Sequence, residues 1–133
     1  MTDKFIQAWC EEHGFSSKVG AIIAYKEIKE KDLNIDNYSE NLDEITVNYE
    51  SYTVYDESDT YDMIKDEEDS IRDEIENLIH RYLAGYTNIV DYINFKDYFN
   101  DNEVDVSNVI DEDRFKEFYF NGHYFYICND DKY

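Results

Sequence analysis

Acidic residues are concentrated in one internal segment of this chain, and that distribution restricts its fold more than any other feature. Residues 36–113 hold 24 acidic residues against four basic ones, whereas residues 1–35 have a net charge of −1 and residues 114–133 are neutral. The whole chain carries −21 at pH 7, so the compact state has to offset considerable self-repulsion. A halophilic adaptation spreads charge over the whole surface, whereas this pattern indicates one densely negative region.

Aromatic residues indicate that the chain folds despite this charge. Disordered acidic chains are poor in aromatics, and this one has 14 Tyr and 8 Phe among 133 residues. Such a length suits one ordinary domain with a hydrophobic core. We therefore expect one continuous unit, made of a near-neutral helical segment over residues 1–35 and an acidic α+β domain over residues 36–133.

Capping residues predict helices near the start of the chain. Thr2 is a suitable N-cap and Gly14 a suitable end for a first helix, and Ser16 can begin a second one. The apolar run over residues 19–25 fits either that second helix or a buried strand, because short apolar runs do not distinguish the two. Residues 29–41 are expected to form a polar connection.

Alternating apolar residues predict two β segments. Residues 44–56 fit one bent strand or a hairpin that turns at Glu50–Ser51. Residues 114–128 fit a hairpin with a tight type I′ turn at Asn121–Gly122, because both positions of that turn favour positive φ. The aromatic side chains on either side of this turn are expected to pack in the core.

A long amphipathic helix is predicted between the β segments. Ile64, Ile71, Ile75, Leu78 and Tyr82 recur at helical spacing, which predicts a helix over residues 66–84. A further helix is expected to begin at Thr87 or Asn94. The predicted fold is a small compact α+β domain with N-terminal helices, a short antiparallel sheet and two central acidic helices.

The polar face of the long helix carries carboxylates of one sign. Asp66, Asp69, Asp73 and Glu76 lie opposite its apolar positions at 100° per residue. A solvated face is the simplest interpretation, but such faces normally mix charge signs, and like charges four residues apart destabilise a helix. We interpret this face as a binding surface for a basic partner.

Flanking acidic residues extend the predicted surface in both directions. Its eighteen candidate residues are Asp56, Glu57, Asp59, Asp62, Asp66, Glu67, Asp69, Asp73, Glu74, Glu76, Asp91, Asp97, Asp101, Glu103, Asp105, Asp111, Glu112 and Asp113. Carboxylates arranged in this way resemble the phosphates of duplex DNA, which carries about one charge per 1.7 Å of axis. The hypothesis is a DNA mimic that makes no direct contact with nucleic acid.

Catalytic and metal-binding patterns are weak in this sequence. His13, His80 and His123 stand apart from one another, and no glycine-rich phosphate loop is present. Asp101, Glu103, Asp105, Ser107 and Glu112 fit positions 1, 3, 5, 7 and 12 of an EF-hand calcium loop. Val106 occupies the position where that loop needs glycine. We expect a non-enzymatic protein without metal or cofactor, and keep a calcium-binding module as an alternative.

The remaining signals concern the cellular context. Cys10 and Cys128 lie far apart in sequence and are expected to be reduced, partly buried thiols. Neither a signal peptide nor a membrane span is recognisable, so we expect a cytoplasmic protein. The richness in Asn, Lys, Ile, Asp and Tyr is typical of phages and mobile elements.

Two segments carry a family resemblance. The stretch YLAGYTNIVDYINFKDYFND (82–101) and the later FNGHYFYI resemble the C-terminal part of ArdA-type antirestriction proteins. The resemblance is carried by Tyr92, Ile93, Asn94, Phe95, Tyr98, Asp101, Gly122 and Tyr124. It implies an inhibitor from a phage or mobile element that occupies the DNA groove of a type I restriction–modification enzyme.

Phage anti-CRISPR proteins use the same acidic strategy, so a CRISPR–Cas effector is an equally good target. The predicted function is a DNA-mimicking inhibitor of such a defence protein. The alternative from another class is an acidic adaptor or structural protein that binds a basic cellular protein. A homodimer, and allosteric inhibition instead of DNA competition, are both left open by the sequence.

Overall fold

Five short strands and three helices make up the regular structure that the computed structural model describes, which covers residues 2–42, 44–82 and 104–132. The helices are α1 (Asp3–Glu12), α2 (Ser17–Tyr25) and α3 (Glu57–Tyr82). The strands are β1 (Tyr38–Glu40), β2 (Ile45–Val47), β3 (Glu50–Tyr55), β4 (Lys116–Phe120) and β5 (His123–Asn129). They form one antiparallel sheet in the order β1-β2-β3-β5-β4. The predicted α+β class is confirmed, while the second acidic helix expected after Thr87 lies outside the described residues.

Two compact units divide the chain, one made of residues 1–59 with 111–133 and the other of residues 60–110. The first unit contains α1, α2 and the whole sheet. The N-terminal helices share a single hydrophobic core with the strands. The change in charge density at residue 35 therefore does not coincide with a boundary between compact units.

Side-chain caps begin both N-terminal helices, as predicted. The Thr2 hydroxyl accepts a hydrogen bond from the Phe5 amide at 3.2 Å, and Gly14 follows α1 with φ +79°. The Ser16 hydroxyl accepts from the Lys18 amide at 3.2 Å and begins α2. Residues 19–25 are thus helical, which resolves the helix-or-strand alternative.

The core lies between these helices and one face of the sheet. Its fully buried side chains include Cys10, Val19, Ile22, Ile23, Val47, Tyr52, Phe120 and Ile127. Both cysteines are free thiols, as predicted, but they are fully rather than partly buried, and burial raises the pKa of Cys10 to about 12. No helix in the described ranges has the length and apolarity that a bilayer-spanning segment needs.

At Gly20, α2 approaches the sheet closely. A Cβ atom there would lie 2.9 Å from two ring carbons of Phe120 and 3.4 Å from Ile6 Cγ2. The Phe120 ring is fully buried, so it has little freedom to move away.

Replacing Gly20 with Ala should lower the free energy of unfolding by about 1–2 kcal/mol. Overpacking this contact outweighs the gain in helix propensity, which is about 1 kcal/mol. The measurement is urea unfolding followed by the fluorescence of Trp9, the single tryptophan. The same substitution in a Phe120→Leu background should cost less, and an equal cost in both backgrounds would contradict the proposed contact.

Both predicted hairpins close with two residues at positive φ. Asn121 (φ +49°) and Gly122 (φ +86°) form the predicted type I′ turn between β4 and β5. The first hairpin turns at Asn48 (φ +51°) and Tyr49 (φ +69°), so the predicted turn at Glu50–Ser51 is wrong by two residues. A tyrosine seldom adopts positive φ, and its hydroxyl donates to the Asn37 side chain at 2.8 Å.

The polar connection predicted for residues 29–41 is also wrong, because it contains β1. Tyr38 is buried, and its hydroxyl donates to the Asp32 carbonyl at 3.2 Å. β1 pairs with β2 through three residues, so the sheet begins inside a stretch that reads as polar. A single buried tyrosine among polar neighbours gives no strand periodicity.

A polar network around Glu50 joins α2 to the sheet. The Glu50 carboxylate accepts from Lys26 Nζ at 2.5 Å, from the Tyr52 hydroxyl at 2.6 Å and from Asn129 Nδ2 at 3.0 Å. Hydrogen bonds from Lys26 and Tyr52 lower the pKa of Glu50 to about 2, while burial and the Glu50 charge raise that of Tyr52. The network fixes three elements at the edge of the core.

Replacing Glu50 with Gln should reduce the loss of stability in acid. Because the folded pKa is depressed, ionised Glu50 stabilises the protein above its ordinary pKa of 4.5, and this contribution disappears as the pH falls towards about 2. Since the ion pair is partly exposed, the expected cost at pH 7 is about 1 kcal/mol.

The check is a series of urea unfolding curves between pH 7 and pH 2. Glu12→Gln, on an exposed position of α1, serves as the control. Parallel pH profiles for wild type and Glu50→Gln would contradict the assignment.

Candidate partner-binding surface

Two aspartates begin α3 by a reciprocal hydrogen bond. Asp56 Oδ1 accepts from the Asp59 amide at 2.8 Å, and Asp59 Oδ2 accepts from the Asp56 amide at 3.1 Å. The helix therefore starts at Glu57, nine residues before the predicted start at residue 66. Glu57, Asp59 and Asp62 lie inside the helix rather than before it, because this capping pair precedes the apolar period.

Carboxylates at the start of α3 have structural partners within the first compact unit. Asp59 forms an ion pair with Lys18 Nζ at 2.7 Å. Partial burial pushes the pKa of Asp59 up, but the Lys18 hydrogen bond and the Asp56 amide outweigh it and lower that pKa. Glu57 accepts from the Tyr124 amide at 2.9 Å and lies 3.8 Å from His123 Nδ1. These candidate residues stabilise the fold, which the sequence did not reveal.

Four aspartates further along α3 form a continuous exposed row, here called the acidic stripe: Asp62, Asp66, Asp69 and Asp73. Their spacing of four, three and four residues places them within an arc of about 60° over roughly 17 Å of helix. The half-buried side chains of Ile64, Ile71 and Ile75 lie on the opposite side, as predicted. Glu76 was expected to continue the row but is half-buried.

The acidic stripe is not neutralised by the described chain. Among the described residues, ion pairs join Lys18 to Asp59 and Lys26 to Glu50, and His123 Nδ1 lies 3.8 Å from a Glu57 carboxylate oxygen. None reaches the stripe, and none of its carboxylates accepts a hydrogen bond within the same ranges. Its charges are therefore exposed to solvent.

The charge density of this part of α3 is close to that of one DNA strand. Residues 62–76 contain eight acidic residues and two basic ones, Lys65 and Arg72. The resulting charge of −6 over roughly 21 Å of helix corresponds to about one net charge per 3.5 Å. One strand of B-DNA carries one charge per about 3.4 Å.

The end of α3 departs from the predicted apolar face. Leu78 and Tyr82 were expected to be buried but are 47% and 72% exposed. Glu67 is half-buried and Glu74 is exposed. Apolar spacing alone overestimated the buried length of this helix, because the spacing does not reveal where packing partners end.

The other candidate carboxylates belong to turns or lie outside the described ranges. Asp105 caps a short 3₁₀ turn and accepts from the Ser107 amide at 3.0 Å, and Asp111 accepts from the Asp113 amide at 3.0 Å. Asp105, Asp111, Glu112 and Asp113 are exposed. Asp91, Asp97, Asp101 and Glu103 are candidate residues outside the described structure.

Among residues 2–42, 44–82 and 104–132, no group of three or more His, Cys, Asp or Glu side chains is arranged to hold a metal ion. Positions 1 and 3 of the EF-hand register, Asp101 and Glu103, fall outside those ranges. At position 5, the Asp105 carboxylate instead accepts from the Ser107 hydroxyl at 2.6 Å.

Two tyrosines of the second hairpin are a feature that the sequence interpretation missed. Tyr119 and Tyr124 were assigned to the core but are 56% and 47% exposed. Phe120 and Phe125, one residue further along each strand, are buried. The alternation of tyrosine with phenylalanine along each strand could have predicted this exposure, because successive side chains of a strand point to opposite faces.

Comparison with known proteins identifies no relative of this chain. No protein-family model, curated protein or solved structure matches this chain. The likeness to ArdA-type proteins thus remains an expectation from the sequence, and function has to be argued from the site.

Asp59 and Asp66 should respond oppositely to replacement by Asn. Asp59→Asn loses the Lys18 ion pair and should cost about 1 kcal/mol at pH 7, whereas Asp66→Asn removes repulsion with Asp62 and should stabilise by a few tenths of a kcal/mol. The pKa of Asp59 is lowered, so its contribution is present above its ordinary value of 3.8 and disappears in more acidic solution.

The two variants are compared by urea unfolding at pH 7 and pH 3, followed by far-ultraviolet circular dichroism. The cost of Asp59→Asn should shrink at pH 3. Equal effects of the two substitutions at pH 7 would mean that the structural and exposed carboxylates are wrongly distinguished.

Proposed function

We propose that this chain is a non-catalytic inhibitor that mimics DNA and occupies the nucleic-acid groove of a bacterial defence protein. The observation that carries the proposal is the acidic stripe, with its four exposed carboxylates that lack partners in the described chain. Carboxylates at this linear density offer a lysine- or arginine-lined groove the charge pattern that phosphates provide.

The physical chemistry of such a groove explains why a helix is a sufficient mimic. Contacts to phosphates provide the sequence-independent part of DNA binding, and they need charge at regular spacing rather than base edges. The α3 backbone holds that spacing fixed, so the stripe does not have to be ordered when the partner binds.

The target class comes from the resemblance of residues 82–101 and the closing hairpin to ArdA-type proteins. Type I restriction–modification complexes and CRISPR–Cas effectors are the two candidates, since both bind DNA in basic channels. Association through the stripe is expected to be fast and to weaken steeply with salt, because it depends on exposed charges.

Neutralising the stripe should abolish competition with DNA while leaving the fold intact. Replacing its four aspartates with Asn removes four exposed charge contacts, which should weaken binding to the target at least tenfold. The assay measures displacement of labelled duplex DNA from a purified candidate complex at several salt concentrations. The salt dependence should also become shallower in the variant.

The matched control removes the same number of charges from the near-neutral end of the chain. Glu12, Glu27, Glu30 and Asp32 are all exposed, and their replacement by Gln or Asn changes the net charge equally. Equal potency of the stripe and control variants would contradict the proposal. A complex that forms without displacing DNA would instead favour the acidic adaptor.

A further inference from the structure

The outer face of the β4–β5 hairpin carries a pair of tyrosine rings. Tyr119 and Tyr124 lie directly opposite each other, with ring centroids 5.0 Å apart in a T-shaped arrangement. They follow the pair that closes the turn, at a non-hydrogen-bonded position where side chains approach most closely. The Tyr124 amide accordingly points away from β4 and donates to Glu57.

Both rings of this pair are exposed on the outer face of the hairpin. A cross-strand aromatic pair stabilises a hairpin, but Tyr119 and Tyr124 leave about half of their surface in solvent. Tyrosine is enriched at protein interfaces because it offers a rigid apolar ring at low entropic cost. Helices α1 and α2 cover the other face of the sheet, where Phe120 and Phe125 are buried.

Carboxylates border the two rings. Glu117 lies opposite Tyr126 in the hairpin register, next to the Tyr119–Tyr124 pair. Glu57 reaches the same end of the hairpin, since it accepts from the Tyr124 amide. Burial raises the pKa of Tyr126, as do the charges of Glu117, Glu112 and Glu57. Arg114 lies further along, with a guanidinium nitrogen 3.9 Å from Cys128 Sγ.

We propose that this tyrosine face, formed by Tyr119, Tyr124 and Tyr126 with its bordering carboxylates, docks an arginine-bearing segment of the basic partner. A planar guanidinium stacks on aromatic rings and bonds to carboxylates at the same time, whereas an ammonium does so less well. The charge of the face complements such a segment. The partner's identity rests on the proposed function, but the preference of the tyrosine face for arginine over lysine does not depend on it.

The test compares hepta-arginine with hepta-lysine peptides, which carry equal charge, by isothermal titration at about 0.15 M salt. The wild type should bind the arginine peptide about two- to fivefold more tightly, as expected for exposed cation–π contacts. Tyr119→Leu/Tyr124→Leu should lose this preference, and the double Phe variant, which keeps both rings, should retain it. Both rings are half-exposed, so the fold should tolerate these changes.

Tyr49→Leu is the matched control, because Tyr49 is exposed and the sheet register places its turn at the opposite end from Gly122. It should keep the arginine preference. The Asn variant of the acidic stripe should weaken both peptides alike and leave their ratio unchanged, which separates this proposal from the DNA-mimic proposal. Equal affinities for the two peptides in the wild type, or a preference that survives the double Leu variant, would overturn the tyrosine face.

Discussion

The contact between α2 and the sheet is the interaction on which the described structure depends. It buries Val19, Ile22 and Ile23 against strands from both ends of the chain, and Gly20 allows the helix to approach the Phe120 ring. These residues belong to the near-neutral parts of the sequence, where burial does not require desolvation of charge. Much of the hydrophobic free energy is thus gained where carboxylates are few. Residues 36–113 contribute Tyr38, Ile45, Val47, Tyr52 and Val54 to the same core through β1, β2 and β3, while the carboxylates of the acidic stripe stay in solvent.

Carboxylates in this chain have two distinct roles, and their positions explain which role each one has. Asp56, Asp59 and Glu50 lie at the ends of elements, where their carboxylates bind backbone amides or lysine side chains. The acidic stripe lies within α3, where the backbone amides are already bonded and no ion pair joins its carboxylates to a base among the described residues. A carboxylate at an element end is stabilised by the fold, whereas one in mid-helix remains available to another molecule.

Much of the fold was predictable from local chemistry, while the parts that failed depend on tertiary contacts. Thr2 and Asn121–Gly122 have strong conformational preferences, so α1 and the second hairpin followed from the sequence, whereas residues 19–25 fitted either a helix or a strand. The turn at Asn48–Tyr49 could not be predicted, because it is stabilised by hydrogen bonds to Asn37, which precedes it in the chain by more than ten residues. The stripe from Asp66 to Asp73 followed from helical periodicity. The ion pair between Lys18 and Asp59 could not be predicted, because it depends on how α2 lies beside the start of α3.

The position of the stripe within α3 bears on why its charges are retained. Acidic residues favour the first turn of a helix, where they interact with the dipole, but this benefit fades within a turn. Asp66, Asp69 and Asp73 lie well beyond that turn, and the pairs Asp62–Asp66 and Asp69–Asp73 repel across one turn. Helix stability therefore gives no reason for this arrangement. A basic partner that neutralised the stripe would relieve the repulsion and stabilise α3 by mass action, so binding and helix stability would be coupled through the same four carboxylates.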